Sequence, residues 1–139
     1  MSPPRQGVEP LDDDERQRLE VQTRRNLDAM ELEEAGRSDE AIALYEQNVA
    51  EGFVGDWPYS RLVAVYERAR RYDDALRVLA RAIEVTKADR RRPAADRRGV
   101  LQGLQGRLRV LKKTAQHAKK PGGAAGSGQR SFIPLPVID

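Results

Sequence analysis

The chain has no cysteine and a single histidine, His117. These two scarcities exclude disulfide scaffolds, Cys/His zinc sites, thiol nucleophiles and any triad built on imidazole. Aromatic residues are also few, with two Phe, four Tyr and one Trp in 139 residues. The core must therefore be aliphatic and small, which favours helices over a sandwich or barrel. No apolar run approaches the roughly 18 residues that cross a bilayer, and the opening Met-Ser-Pro-Pro-Arg-Gln-Gly lacks the apolar stretch of a secretory signal. The expectation is a soluble, cytoplasmic protein of one small domain. With no segment reading as a strand, no glycine-rich phosphate loop follows one, and neither a cofactor nor a metal is expected.

What the sequence does have is charge, at 34% Asp, Glu, Lys and Arg, and it is unevenly placed. Residues 1 to 89 carry 13 basic and 20 acidic side chains; residues 90 to 139 carry 12 and 2. An acidic body thus precedes a basic C-terminal third, an asymmetry that suits a nucleic-acid or acidic partner or simply keeps a helix solvated.

Residues 1 to 10 hold three prolines and little to bury, and read as a disordered arm. A helix is expected from Asp12-Asp13-Asp14-Glu15, whose carboxylates suit the positive end of a helix dipole. Leu19, Thr23, Leu27, Met30, Leu32 and Ala35 supply its stripe, and Gly36 its stop. A second helix runs from Ser38 or Asp39 to Ala50 with Ala41, Ile42, Leu44, Tyr45 and Val49 inward. Asp56 should cap a third, with Pro58 tolerated in its first turn and Leu62, Val63, Val65, Tyr66 and Ala69 inward. A fourth begins at Asp73-Asp74 and buries Ala75, Leu76, Val78, Leu79, Ala82, Ile83 and Val85. Connections this short make sequential helices antiparallel neighbours.

A shift of 34 residues superimposes helices one and two on three and four, matching Ala35 to Ala69, Arg37 to Arg71, Asp39 to Asp73 and Ala41 to Ala75. Glu40/Asp74, Ile42/Leu76, Leu44/Val78 and Val49/Ile83 are conservative pairs. On this period and these positions the chain resembles the tetratricopeptide repeat family. Ala41 and Ala75 stand at the family's small site, Tyr45 and Leu79 at the large site that follows, and Tyr66 at the first-helix aromatic, with Leu62 and Tyr59 at apolar positions. Ala82 meets the next small site and Asn48 does not. Arg25 and Asp28 stand where Trp and Leu are typical, so unit one (22 to 55) is degenerate and unit two (56 to 89) the better match.

The resemblance implies an all-α fold of antiparallel helix-turn-helix repeats over residues 11 to 92. It also implies a groove lined by Thr23, Asn26, Met30 and Glu33 of unit one and Trp57, Ser60, Arg61, Ala64 and Arg68 of unit two. Partner-binding candidates there are Asn26, Met30, Trp57, Ser60, Arg61 and Arg68, with Trp57 foremost because Trp and Arg dominate binding hot spots. The competing role for Trp57 is to fold over Phe53 and Tyr59 and seal the junction between units. Asn26 and Arg61 are partial counterparts of the family's carboxylate clamp, whose lysines are missing.

Residues 93 to 120 carry an apolar stripe, Leu101, Leu104, Leu108, Leu111, Ala115 and Ala118, on a basic helix. Two repeats fall below the usual minimum of about three. The stripe should therefore cover the end of unit two, or pair with a second copy through residues 96 to 118, giving a monomer or a homodimer. Gly99, Gly103 and Gly106 within it each cost about 1 kcal/mol relative to Ala and imply either close backbone approach or fraying. Arg107, Arg109, Lys112, Lys113, Lys119 and Lys120 lie off the stripe and are the candidate nucleic-acid contacts, in a mode that is electrostatic and salt-dependent. Residues 121 to 130 read as a flexible linker. Residues 131 to 139 read as an apolar docking segment through Phe132, Ile133, Leu135, Val137 and Ile138.

The expected function rests on the resemblance. Neighbouring carboxylates such as Glu33/Glu34 and Asp73/Asp74 do not face each other on a helix and suit caps and solvated faces, so an enzyme is not expected. The reading is a non-catalytic adaptor that docks another protein through its groove, its apolar tail, or both. The alternative is a nucleic-acid or ribonucleoprotein-associated factor acting through residues 97 to 120.

Overall fold

The computed structural model describes residues 10–119. They form five α-helices: α1 (Asp13–Glu34), α2 (Ser38–Ala50), α3 (Trp57–Arg68), α4 (Tyr72–Ala88) and α5 (Ala94–Ala118), with no strand among the described residues. The expected arm through residue 9, the linker and the apolar tail lie outside the described residues.

Helix α1 starts where its carboxylates can be used. The Asp12 side chain accepts from the Glu15 backbone at 2.8 Å, and the Glu15 carboxylate accepts from the Asp12 backbone at 3.0 Å. This reciprocal cap is worth about 1 kcal/mol. At Asp56 the expectation fails, because its backbone is already helical and its side chain makes no capping bond. Pro58 instead stands in the first turn of α3, where its missing N–H leaves no orphan donor.

The 34-residue period is visible in the backbone itself. Helix α1 ends with Arg37 N–H on the Leu32 carbonyl at 2.8 Å, and α3 ends with Arg71 N–H on the Tyr66 carbonyl at 2.8 Å. Both turns need one left-handed residue, supplied by Gly36 at φ 79° and by Arg70 at φ 61°. Arginine in that conformation is strained by roughly 1–2 kcal/mol relative to glycine. The next helix then starts with matching ion pairs, Arg37 to Glu40 at 2.7 Å and Arg71 to Asp74 at 2.9 Å.

The helices pack in two layers. Odd helices are linked by Arg61 on Glu33 (α3 to α1) and by Arg107 on Glu67 at 3.6 Å (α5 to α3). Even helices are linked by Arg77 on Glu46 at 2.6 Å and by Arg81 on the Val49 carbonyl at 3.0 Å. Between the layers lies one apolar core containing Ala29, Ala41, Tyr45, Leu62, Val63, Tyr66, Ala75, Val78, Leu79 and Leu111. Burying a Leu or Val contributes about 1.5–3 kcal/mol each.

The two units are held together differently, and the stripe expected on α1 is corrected by the structure. Leu19 and Leu27 are 37% and 46% exposed, Thr23 and Ala35 are exposed, and the buried residues of α1 are Gln22, Asn26 and Ala29. The cause is Asn48 on α2, which is fully buried and so must find partners for its amide. It donates to the Gln22 carbonyl at 2.9 Å and to Asn26 Oδ1 at 2.7 Å, and it accepts from Arg25. Glu51 accepts from Arg25 and from Gln22, both at 3.0 Å. A polar seam therefore rotates α1 away from its most apolar face. In unit two the corresponding Tyr59, Leu62 and Ala82 are buried in the apolar core.

Helix α5 lies against α4 and covers the end of unit two. Leu111 and Ala115 are buried, Leu104 and Leu108 pack on the core, and Ala118 is exposed. Of the two explanations for the glycines, close backbone approach is not met among the described residues. A Cβ placed on Gly99 or Gly103 meets nothing within 4 Å.

Candidate partner-binding face

On the odd-helix face the pieces of a recognition surface arise from three neighbouring facts. Glu33 sits at the end of α1, Tyr45 crosses from α2 behind it, and Trp57 opens α3 beside both. Arg61 grips Glu33 with two nitrogens, Nε at 3.2 Å and an Nη at 2.6 Å. The Tyr45 hydroxyl donates to the same carboxylate at 2.8 Å and accepts from the Trp57 indole N–H at 3.3 Å. Four side chains from three helices are thus tied together, and the polar edge of the indole faces the protein. Trp57 as a whole remains 41% exposed.

The electrostatics of this cluster fix its protonation. Burial works against ionising Glu33, but hydrogen bonds from Arg61 and Tyr45 outweigh it and hold the carboxyl below its usual range. Burial, reinforced by Glu33, pushes the Tyr45 phenol up to about 12. The Arg61 guanidinium is raised further by its hydrogen bonds to Glu33. At neutral pH the arrangement is a fixed ion pair with a neutral phenol, suited to orienting contacts and carrying no poised acid or base.

Among the expected partner-binding residues, Trp57 and Arg61 meet in this cluster, and Ser60 donates to the Trp57 carbonyl at 3.3 Å. Met30 is half-buried, one turn before Glu33. Arg68 is exposed in the last turn of α3, and its charge also stabilises Glu33. Asn26 is not brought to this face; it is 7% exposed and used up in the seam with Asn48. The junction between units is sealed by other aromatics, since Tyr59 is buried and donates to the Phe53 carbonyl at 2.7 Å. Phe132, Ile133, Leu135, Val137 and Ile138 lie outside the described residues.

The expected basic face of α5 is partly engaged. Arg107 pairs with Glu67 and Lys119 with Asp73 at 3.3 Å, while Arg109, Lys112 and Lys113 are exposed and Lys120 lies outside the described residues. No group of His, Cys, Asp and Glu among the described residues is placed to hold a metal, and no described helix is long and apolar enough to cross a membrane.

A family model described as tetratricopeptide repeat matches residues 59–93, from within α3 through α4 to the connection before α5. The chain carries a tetratricopeptide repeat. Repeats of this kind serve in general as protein–protein interaction modules and are typically non-catalytic. Neither the curated proteins nor the solved structures gave a match to the chain. The tetratricopeptide match falls on the unit whose packing is apolar, and the polar seam of the first unit lies outside it. Sequence reasoning placed Tyr45 in the core without foreseeing its second role. The signal was its neighbourhood, since a buried phenol needs a hydroxyl partner and Glu33 precedes it by 12 residues across one tight turn.

Proposed function

We propose that the chain is a non-catalytic adaptor that docks another protein on its odd-helix face, with the exposed ring of Trp57 as the anchor. The supporting observation is that this indole is both presented and held: its N–H is tied to Tyr45, and Tyr45 to the Glu33–Arg61 pair. A rigid aromatic beside an arginine loses little entropy on binding and supplies the contact area on which hot spots depend. On α1, Leu19 is exposed and Met30 half-buried, and both add apolar surface to this reading. The apolar segment 131 to 139 belongs to this reading as a second docking element.

The test is affinity capture from a lysate of the native source, with and without nuclease, using the full chain, Trp57→Ala and a variant lacking residues 131 to 139. A nuclease-resistant protein lost on Trp57→Ala, with helicity by circular dichroism intact, is the expected result. Capture unchanged in both variants removes the proposed docking sites. Recovery that vanishes with nuclease moves the functional surface to Arg109, Lys112 and Lys113 of α5.

A further inference from the structure

The far end of α5 carries a second feature, independent of the Trp57 face. The α3–α4 turn and the last turns of α5 enclose an open notch of about 440 Å³, lined by Arg70, Tyr72, Lys113, Thr114, His117 and Ala118. Three of these side chains are basic or imidazole, and none of the three has an ion-pair partner among the described residues. The nearby acids are otherwise engaged: Asp73 by Lys119 at 3.3 Å, Asp74 by Arg71 at 2.9 Å and Glu67 by Arg107 at 3.6 Å. The positive charge of the notch is therefore not neutralised from within.

Arg70 adds an observation that surface charge alone does not supply. It is the described residue other than glycine with a left-handed backbone, φ 61°, and it stands where unit one has Gly36 at φ 79° with the same turn hydrogen bonds. The turn requires the conformation and would be satisfied by glycine; the arginine is strained and its side chain lines the notch. Strain kept at a site where an unstrained residue fits points to a use for the side chain.

We infer that this notch binds a phosphomonoester group. A guanidinium, an ammonium and an imidazole N–H lining one open notch match a compact dianion with three acceptor oxygens better than a single-charge carboxylate. Arg70 supplies the planar fork for two oxygens, Lys113 the point charge, and His117 a donor for the third. The group can be carried by a phosphorylated protein side chain or by a small phosphate ester.

The experiment titrates the isotopically labelled full chain, at fixed ionic strength, with inorganic phosphate, N-acetyl-phosphoserine amide and acetate, following backbone amide resonances. Both phosphates should give saturable shifts at Arg70, Tyr72, Thr114 and His117, and acetate none. Tighter binding of the phosphoserine amide assigns the source to a modified protein, and equal affinity assigns it to small phosphates. Arg70→Gly keeps the turn, as Gly36 does, and should weaken phosphate at least tenfold; Lys113→Gln should do the same. Acetate shifts equal to those of phosphate, shifts spread over all exposed cations, or unchanged affinity in Arg70→Gly overturn the inference.

Discussion

Unit one and unit two share a backbone and differ in what joins their helices. Both end their first helix in the same left-handed turn and begin the second with the same arginine–carboxylate pair, 34 residues apart. In unit two the interface is Tyr59, Leu62, Val63, Ala82 and Ile83. In unit one Ala29, Ala41, Tyr45 and Val49 are buried as well, but the rest of the interface is Gln22, Arg25, Asn26 and Asn48, closed by Glu51. The difference teaches that the turn motif sets the repeat geometry, while the glue between its helices is exchangeable provided every buried polar atom finds a partner.

The comparison breaks most sharply at Leu62 and its counterpart Asp28. Leu62→Ala should lose about 3 kcal/mol by leaving a core cavity, whereas Asp28→Ala, on an exposed position, should stay within about 0.5 kcal/mol in urea unfolding. Next is the seam. Asn48→Ala leaves Asn26 Oδ1 without its donor and Arg25 with Glu51 alone, and should lose about 2 kcal/mol, yet Arg25→Tyr, Asn48→Ala and Glu51→Val together, which give unit one the residues unit two has at those three positions, should recover most of that loss. A triple variant no more stable than Asn48→Ala would show that the seam is not exchangeable.

The third contrast lies in the turns. Arg70→Gly should raise stability by about 1 kcal/mol and Gly36→Arg lower it by about the same, read from thermal midpoints. The smallest effect is in acid. Glu33 and Glu46 are each opposed by burial and yet held below their usual 4.5, Glu33 by hydrogen bonds from Arg61 and Tyr45, Glu46 by those from Arg77 and Tyr66. A carboxyl depressed in the folded state stabilises it above the unfolded value, and that contribution fades as pH falls through the folded one. The urea midpoint should therefore hold from pH 7 to about 5 and drop below 4.5. Glu33→Gln should shrink the drop, and an equal drop in that variant would place the acid sensitivity elsewhere.

Much of this fold was legible in the sequence because short turns and apolar spacing act locally. The break at Gly36, the inward face of α4 and the covering stripe of α5 all follow from rules that look a few residues away. The face of α1 did not, since it is chosen by Asn48, over 20 residues downstream, through a partner demand that hydrophobic periodicity ignores. The candidate site was half legible. Trp57 and Arg61 follow from the resemblance, but the strain at Arg70 emerges only when a backbone angle is set beside the residue 34 positions earlier.

One contact gives the assembly a mechanical property. Glu15, which closes the cap of α1, also receives Arg91 at 3.0 Å from the connection leading into α5, across 76 residues of chain. Most other packing joins helices next to one another, so this pair acts as a latch between the first turn and the last joint. The Glu15 Oε1 atom accepts both from the Asp12 backbone N–H and from Arg91, so the cap of α1 and the joint before α5 share one oxygen. The start of α1 and the joint before α5 are thereby geared to each other.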